Sequence, residues 1–144
     1  MANHFLPRFM KNKPKDTARK RQEDLYERIK KVTSFKERLE QERQAVFAAG
    51  CIAPSGCCIA RYLAKGRKGY YWYYKLQASE AVFPKKSDSK LSKYKHLGKA
   101  GSQEYLDALE QINRRTKLEA LDRSLETIKQ GLQDLLEETS KYKK

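Results

Sequence analysis

The chain has 144 residues, of which 35% are charged and 39% are hydrophobic, and its net charge is +14. So few apolar residues exclude a large core with a deep pocket, and no apolar run is long enough to span a bilayer. The positive charge favours a polyanionic partner, nucleic acid first and an anionic membrane surface second. Without a secretion signal, we expect an intracellular protein, either cytoplasmic or nucleoid-associated.

Basic residues are frequent at the start of the chain. Residues 1–15 predict a flexible basic arm, followed by a single domain over residues 16–144. The cations of the basic arm could wrap a nucleic-acid backbone and add affinity without reading sequence. These cations are Arg8, Lys11, Lys13, Lys15, Arg19, Lys20 and Arg21.

Residues 16–49 contain neither proline nor glycine and predict a first long helix. Within it, Leu25, Val32, Leu39 and Val46 recur at intervals of seven residues, the repeat of a coiled-coil seam. We therefore expect this apolar stripe to be buried against another helix.

Residues 102–142 predict a second long helix, which begins at Ser102, a residue type that caps helix N-termini. Its heptad slips out of phase near residues 113–116, where a straight coiled coil would have to change its packing. The two helices could pair within the chain as an antiparallel hairpin, or their heptads could bind a second copy or another protein. The regular part of the second heptad consists of Leu118, Leu121, Leu125, Ile128, Leu132 and Leu135.

Between the helices the apolar spacing changes to a period of two, which is typical of strands. Residues 57–64 and 70–78 predict a hairpin joined by a basic, glycine-containing turn at 65–69, and residues 92–97 predict a third strand. The sequence thus predicts an α+β fold, in which two long antiparallel, coiled-coil-like helices carry a small three-stranded antiparallel sheet inserted at their tip.

The hairpin region, residues 57–99, holds most of the excess charge. Residues 61–99 carry eleven Lys and Arg side chains against Glu80 and Asp88, a net charge of +9, and eight of the fifteen aromatic residues. Cations interleaved with aromatic rings suit a phosphate backbone and stackable bases. We therefore expect a nucleic-acid-binding surface here; the alternative is a solvated basic surface over a tyrosine-rich core.

Alternation along the central strand separates two faces. The more apolar face, which contains Trp72, is expected to pack on a helix. The face with Tyr71 and Tyr73 is expected to look outward, together with Arg61 and cations of the third strand. Lysines and arginines would hold phosphates, and the two tyrosines would contact bases or sugars. The candidate binding residues are Arg61, Lys65, Arg67, Lys68, Tyr71, Tyr73, Lys75, Lys85, Lys86, Lys93, Lys95 and Lys99.

The stretch K-Y-K-H-L-G-K-A-G-S-Q-E-Y-L-D-A-L-E-Q-I-N-R-R resembles the end of the AP2-like domain that forms the arm-binding module of tyrosine recombinases. The resemblance covers about residues 57–115. It implies a last strand that ends at Leu97 and Gly98, and a helix that packs Ala108 against the sheet. It also implies a DNA-facing sheet surface with Tyr71, Tyr73, Lys75 and Lys95.

A second resemblance is closer in its amino-acid sequence. The segments Y-W-Y-Y-K-L-Q-A-S and K-Y-K-H-L-G-K-A-G-S are similar to a group of small basic proteins of unassigned function. This resemblance implies a family and no activity.

The sequence lacks the motifs that would predict an enzyme. His4 and His96 are the only histidines, and no Ser/His/Asp, HExxH or phosphate-loop pattern occurs. Zinc binding by Cys51, Cys57 and Cys58, with His96 as the fourth ligand, is disfavoured because their C-x5-C-C spacing lacks the usual C-x2-C knuckle. We expect the cysteines to act as buried small hydrophobic residues, and we expect neither a metal nor a cofactor.

Three functions follow from these patterns. Duplex-DNA binding as an accessory or regulatory factor is the preferred interpretation. RNA binding within a ribonucleoprotein is the close alternative, because the tyrosines could equally stack on unpaired bases. A coiled-coil scaffold or adaptor for a protein partner comes third.

Overall fold

The structure is a computed structural model that describes residues 14–87 and 89–142. The predicted combination of two helices with a small antiparallel sheet is confirmed. Within the described ranges, neither helix has an apolar stretch that could cross a membrane. The elements are, in chain order, α1 (Pro14–Ala49), β1 (Cys58–Gly66), β2 (Gly69–Gln77), β3 (Phe83–Pro84), β4 (Leu91–Ser92), β5 (Tyr94–Gly98) and α2 (Gln103–Ser140).

The chain divides into two compact units. The sheet unit is Glu42–Asp122, and the helical unit consists of the described residues on either side of it. In the helical unit the predicted seam is buried: Leu25 is 2% and Leu39 is 6% exposed. Arg28 donates a hydrogen bond from Nη2 to Glu138 Oε2 over 2.6 Å. Because the structure contains one chain only, the cover over these leucines comes from the chain itself.

α1 begins two residues before the predicted start, at Pro14. Proline fits the first turn of a helix, where its missing N–H needs no partner. The predicted arm residues Lys15, Arg19, Lys20 and Arg21 therefore lie in α1 and not in a flexible arm. The arm residues Arg8, Lys11 and Lys13 lie outside the described residues.

The sheet unit contains a three-stranded antiparallel sheet with the strand order β1–β2–β5. β1 and β2 pair along their whole length, from Cys58 opposite Gln77 to Gly66 opposite Gly69. β5 pairs only with the last four residues of β2, Tyr74–Gln77. The hairpin turn is thus two residues long rather than the five predicted.

The core of the sheet unit lies where all three strands meet α2. Ala108 is the one buried residue of α2, and its small side chain lets the helix approach the sheet closely. Ile59, Tyr74, Tyr105 and Ile112 pack around the edge of this core. Its buried members are Cys57, Leu76, Ala78, Phe83, Leu97 and Ala108.

Ser102 joins the end of β5 to the start of α2. Its hydroxyl donates to the Leu97 carbonyl over 2.6 Å and accepts from the Tyr105 N–H over 3.2 Å. The predicted N-cap is confirmed. The connection is tight because Gly98 and Gly101 both adopt a φ of 85°, a conformation that favours glycine.

The connection from α1 to β1, residues 50–57, is fastened to α2 by two arginines. Arg114 donates to the carbonyl of Cys51 over 3.0 Å, and Arg115 donates to that of Pro54 over 2.7 Å. The heptad of α2 slips at these two residues because this turn of the helix holds the connection.

A second sheet pairs the two-residue strands β3 and β4. Nothing in the sequence predicts it, because two residues are too few to show an alternation and Pro84 disfavours a strand. Phe83, which precedes that proline, is 7% exposed and joins the core.

The buried end of the sheet should dominate the stability of the sheet unit. We expect Leu76→Ala to lower the free energy of unfolding by about 2–5 kcal/mol, because Leu76 is 2% exposed in the core. Leu63→Ala is the matched control on the same face, and its 51% exposed side chain should contribute less than about 1 kcal/mol. Urea unfolding measures both, and equal losses would contradict this account of the core.

Candidate nucleic-acid interface

Strand pairing fixes which side chains share a face of the sheet. Tyr62 lies opposite Tyr73, and Lys75 lies opposite His96. Directly opposed residues point to the same side, and this side is the one that α2 does not cover. We call it the tyrosine face, and it consists of Tyr62, Tyr71, Tyr73, Lys75, Tyr94 and His96.

The rings of this face contact one another. Tyr62 and Tyr73 are stacked, with ring centroids 5.9 Å apart and planes inclined by 27°. Tyr62 also meets His96 edge to face at 5.9 Å, and its hydroxyl lies within hydrogen-bond distance, 2.9 Å, of His96 Nδ1. These contacts hold the rings in fixed positions on a solvent-facing surface.

Two lysines lie over these rings. Lys75 Nζ is 4.4 Å from the centroid of Tyr94. Lys99, just after β5, has its Nζ 4.3 Å from the centroid of Tyr71. Such cation–π contacts are weakly attractive and leave ammonium protons free for a further acceptor. The tyrosine face therefore presents positive charge and aromatic surface together.

A groove lies beside the tyrosine face. It has a volume of about 1010 Å³ and shares Lys75, Tyr94 and His96 with that face. Phe83 and Leu97 supply apolar lining, and Glu104 is the one acidic residue among the lining residues. Lysines from the loop and from β5 converge there with Lys75, namely Lys85, Lys86 and Lys95. This arrangement suits an anion such as a phosphate group.

Charge is compensated differently on the helices and on the sheet. Arg28, Arg43, Arg114 and Arg115 each form an ion pair with a carboxylate. Within the described residues, none of the ten candidate binding cations forms an ion pair. The sheet unit therefore keeps uncompensated positive charge at its tyrosine face, its groove and its hairpin.

The structure places the predicted binding residues in several places. Tyr71, Tyr73 and Lys75 lie on the tyrosine face with Lys99 above it, whereas Lys85 and Lys86 reach the groove. The remaining predicted cations are not brought to the tyrosine face. They are Arg61, Lys65, Arg67 and Lys68 of the hairpin, exposed Lys93 before β5, and Lys95 in the groove.

The prediction that Arg61 shares a face with Tyr71 is wrong. Arg61 lies opposite Tyr74, so it points to the other side, with its guanidinium 4.0 Å above the Trp72 ring. The predicted five-residue turn would have aligned Arg61 with Tyr73. The observed two-residue turn shifts the register by one, which moves every side chain of a strand to the opposite face.

The resemblance to the AP2-like domain implies that Lys95 lies on the DNA-facing surface with Tyr71 and Tyr73. Lys95 instead lies on the opposite face of the sheet, because it pairs with Leu76. The predicted packing of the apolar face on a helix holds for Leu76 and for Tyr74, whose ring is 4.9 Å from that of Tyr105. It is wrong for Trp72 and Tyr70, which are 48% and 66% exposed.

Sequence reasoning missed three members of the tyrosine face, Tyr62, Tyr94 and His96. The signal was present, since Tyr94 and His96 alternate with Lys93 and Lys95 in the third strand. Choosing between those alternating sets requires the pairing with β2, which the sequence does not provide.

The cysteines do not form a metal site in the described part of the chain, where no three His, Cys, Asp or Glu side chains lie close enough to hold an ion. Cys57 is buried in the core as predicted. The same prediction is wrong for Cys51 and Cys58, which are exposed.

Comparison with protein-family models, with curated proteins and with solved structures finds no match to this chain. The function must therefore be inferred from the geometry and the charge of the surface itself.

The three thiols should differ in reactivity. Burial raises the pKa of the Cys57 thiol above its ordinary value, and the thiol is also shielded from reagents, whereas Cys51 and Cys58 are exposed. We expect a maleimide at pH 7.5 to label two thiols quickly and the third slowly, and all three quickly in denaturant. Three equal labelling rates in the folded protein would contradict the burial of Cys57.

The raised pKa of Cys57 also affects stability. Because its pKa is higher in the folded than in the unfolded chain, the contribution of Cys57 to the free energy of unfolding should decline as pH rises above the ordinary thiol pKa.

Gly66 makes room for the Tyr71 ring. A Cβ at residue 66 would lie 2.7 Å from Cε2 of Tyr71, so Gly66→Ala should rotate that ring away from Lys99. NMR would then show the side-chain methylene shifts of Lys99 moving toward their unshielded values. Gly131→Ala is the control, because a Cβ there meets nothing within 4 Å. Unchanged Lys99 shifts in the Gly66→Ala variant would contradict the contact.

Proposed function

We propose that the protein binds nucleic acid without catalysing a reaction, and that it acts on duplex DNA as an accessory or regulatory factor. The tyrosine face carries this proposal. It combines four tyrosines with Lys75 on a solvent-facing sheet, Lys99 lies over one of its rings, and its described residues include no carboxylate. Stackable rings with free cations match bases or sugars next to phosphates, and they match no neutral or cationic ligand as well.

The dimensions of the face favour a duplex groove. From Tyr71 to Lys75 the side chains span about 13 Å along β2, at roughly 3.3 Å per residue. The DNA major groove is about 12 Å wide and admits a two-stranded ribbon such as β1–β2, with this length lying along the groove. In this arrangement Tyr71 and Tyr73 reach base edges or sugars. Lysines of the adjacent groove then meet the phosphates that flank the site.

The pairing of α1 with α2 is a further part of the proposal. Within the sheet unit, Arg43 of α1 donates to Asp122 of α2 over 2.7 Å, and Arg114 of α2 contacts Cys51 just beyond α1. Higher residue numbers on the α1 side thus contact lower residue numbers of α2, as in two helices that run in opposite directions. We propose an antiparallel helical pair with the sheet inserted at one end, stabilised by the buried seam and needing no second copy to cover it.

The resemblance to the AP2-like module is a further support. It implies a strand end at Leu97 and a helix that packs Ala108 on the sheet. Both side chains are 2% exposed and belong to one core. The arm-binding role of that module is compatible with the proposed duplex ligand, although the position of Lys95 departs from the implied surface.

A salt-titrated binding assay tests the proposal. Fluorescence anisotropy compares a duplex DNA with single-stranded DNA and structured RNA of equal length. The triple variant Lys75→Gln, Lys85→Gln and Lys86→Gln should weaken duplex binding and lower the slope of log K against log salt by about 2–3, because each lost phosphate contact removes about 0.9 from it.

The matched control removes the same charge from the helices, by Lys30→Gln, Lys31→Gln and Lys129→Gln. It should change the slope by less than about 1, because these lysines belong to the helical unit and not to the sheet unit that carries the tyrosine face. Equal effects of the two triple variants would show that binding follows net charge alone. Tighter binding to structured RNA than to the duplex would replace DNA by RNA as the ligand.

A further inference from the structure

The outer part of the β1–β2 hairpin, residues 62–73, is a ribbon only two strands wide. β5 stops at its pairing with Tyr74, so the five strand pairs from Tyr62–Tyr73 to Gly66–Gly69 have no third strand beside them. None of the buried core residues comes from this ribbon. Both of its faces are therefore available to a ligand.

One face of the ribbon belongs to the tyrosine face. The opposite face carries three large apolar side chains: Leu63 is 51%, Tyr70 66% and Trp72 48% exposed. Leu63 lies directly opposite Trp72, and Tyr70 lies two residues from Trp72 on the same strand face. A contiguous exposed apolar surface of this kind marks a binding site more often than a solvated surface.

The charges around Trp72 indicate the chemistry of its ligand. Lys65, Arg67 and Lys68 belong to the ribbon and Arg61 directly precedes it, and no Asp or Glu occurs in residues 61–73. The Arg61 guanidinium lies 4.0 Å from the centroid of the Trp72 ring, and Trp72 is still 48% exposed. An aromatic platform among cations, without an anion, suits an unpaired base and its phosphate.

We propose that this second face binds an unpaired strand of the same nucleic acid, so that the ribbon sits at a junction between duplex and single strand. The inference rests on the proposed binding of a duplex by the tyrosine face. A short duplex is too stiff to fold round the edge of the ribbon, so one stretch of duplex cannot cover both faces. A strand that has left the duplex can pass to the other face and stack on Trp72 and Tyr70.

Trp72 is the only tryptophan of the chain, so its fluorescence reports directly on this face. Three probes are titrated into the full-length protein: a blunt duplex, the same duplex with two non-complementary single-stranded arms, and one arm alone. We expect the forked probe to bind about tenfold more tightly than the blunt duplex and to quench Trp72. The blunt duplex should bind without quenching.

The variant Tyr70→Ala with Trp72→Ala should lose the preference for the fork and keep its affinity for the blunt duplex within about twofold. Trp72→Phe, which retains an aromatic ring, should retain part of the preference. Phe47→Ala is the matched control, because Phe47 is 50% exposed and carries the Arg43 guanidinium 5.1 Å above its ring, yet lies on α1. It should leave the preference unchanged. Circular dichroism checks that each variant is folded.

The outcomes separate the two proposals. Equal affinity for fork and blunt duplex, with unquenched Trp72, would overturn the junction site and leave duplex binding intact. Equal affinity for the fork and for one arm alone would overturn the junction as well, because the duplex would then contribute nothing. Absence of binding to all three probes would overturn the proposed function itself.

Discussion

The contact between Leu76, Leu97 and Ala108 is the constraint on which the sheet unit depends. All three side chains are 2% exposed, and they join β2, β5 and α2 at one place. Ala108 is small enough for the helix to lie close to the sheet, and Ser102 sets the first turn of that helix at the end of β5. Because this contact uses only the end of the hairpin nearest the helix, the other end and the outer face stay free for ligands.

The distribution of charge complements this division. Carboxylates lie beside the arginines of the helices, whereas the cations of the sheet lie on aromatic rings or in solvent. Like charges so close together repel, and this repulsion lowers the stability of the sheet unit at low ionic strength. A polyanion would relieve this repulsion as it binds. Part of its binding free energy would then come from charges that the fold leaves uncompensated.

Much of this arrangement could be predicted from the sequence. The first helix follows from a long stretch without proline or glycine, and the second follows from its cap Ser102 and its leucine heptad. The hairpin follows from the change to a period of two around Gly66 and Gly69. The face of Arg61 could not be predicted, because one residue in the length of the turn reverses it. β5 has a similar difficulty: its pairing with β2 is irregular between Tyr74 and Lys75, and this irregularity brings Leu97 into the core. The buried seam of α1 could be predicted from the seven-residue repeat of its apolar residues alone.

The short pairing of β5 also has a consequence for the protein in concentrated solution. β2 has a bare edge from Gly69 to Tyr73, with backbone donors and acceptors that could pair with a strand of another molecule. Arg67 and Lys68 at the turn give that edge the same positive charge in every copy, so two copies repel before their strands can align. The cations that suit a polyanionic ligand would in this way also keep the chain from aggregating through its own sheet, and the protein is best handled at a pH and salt concentration that preserve this repulsion.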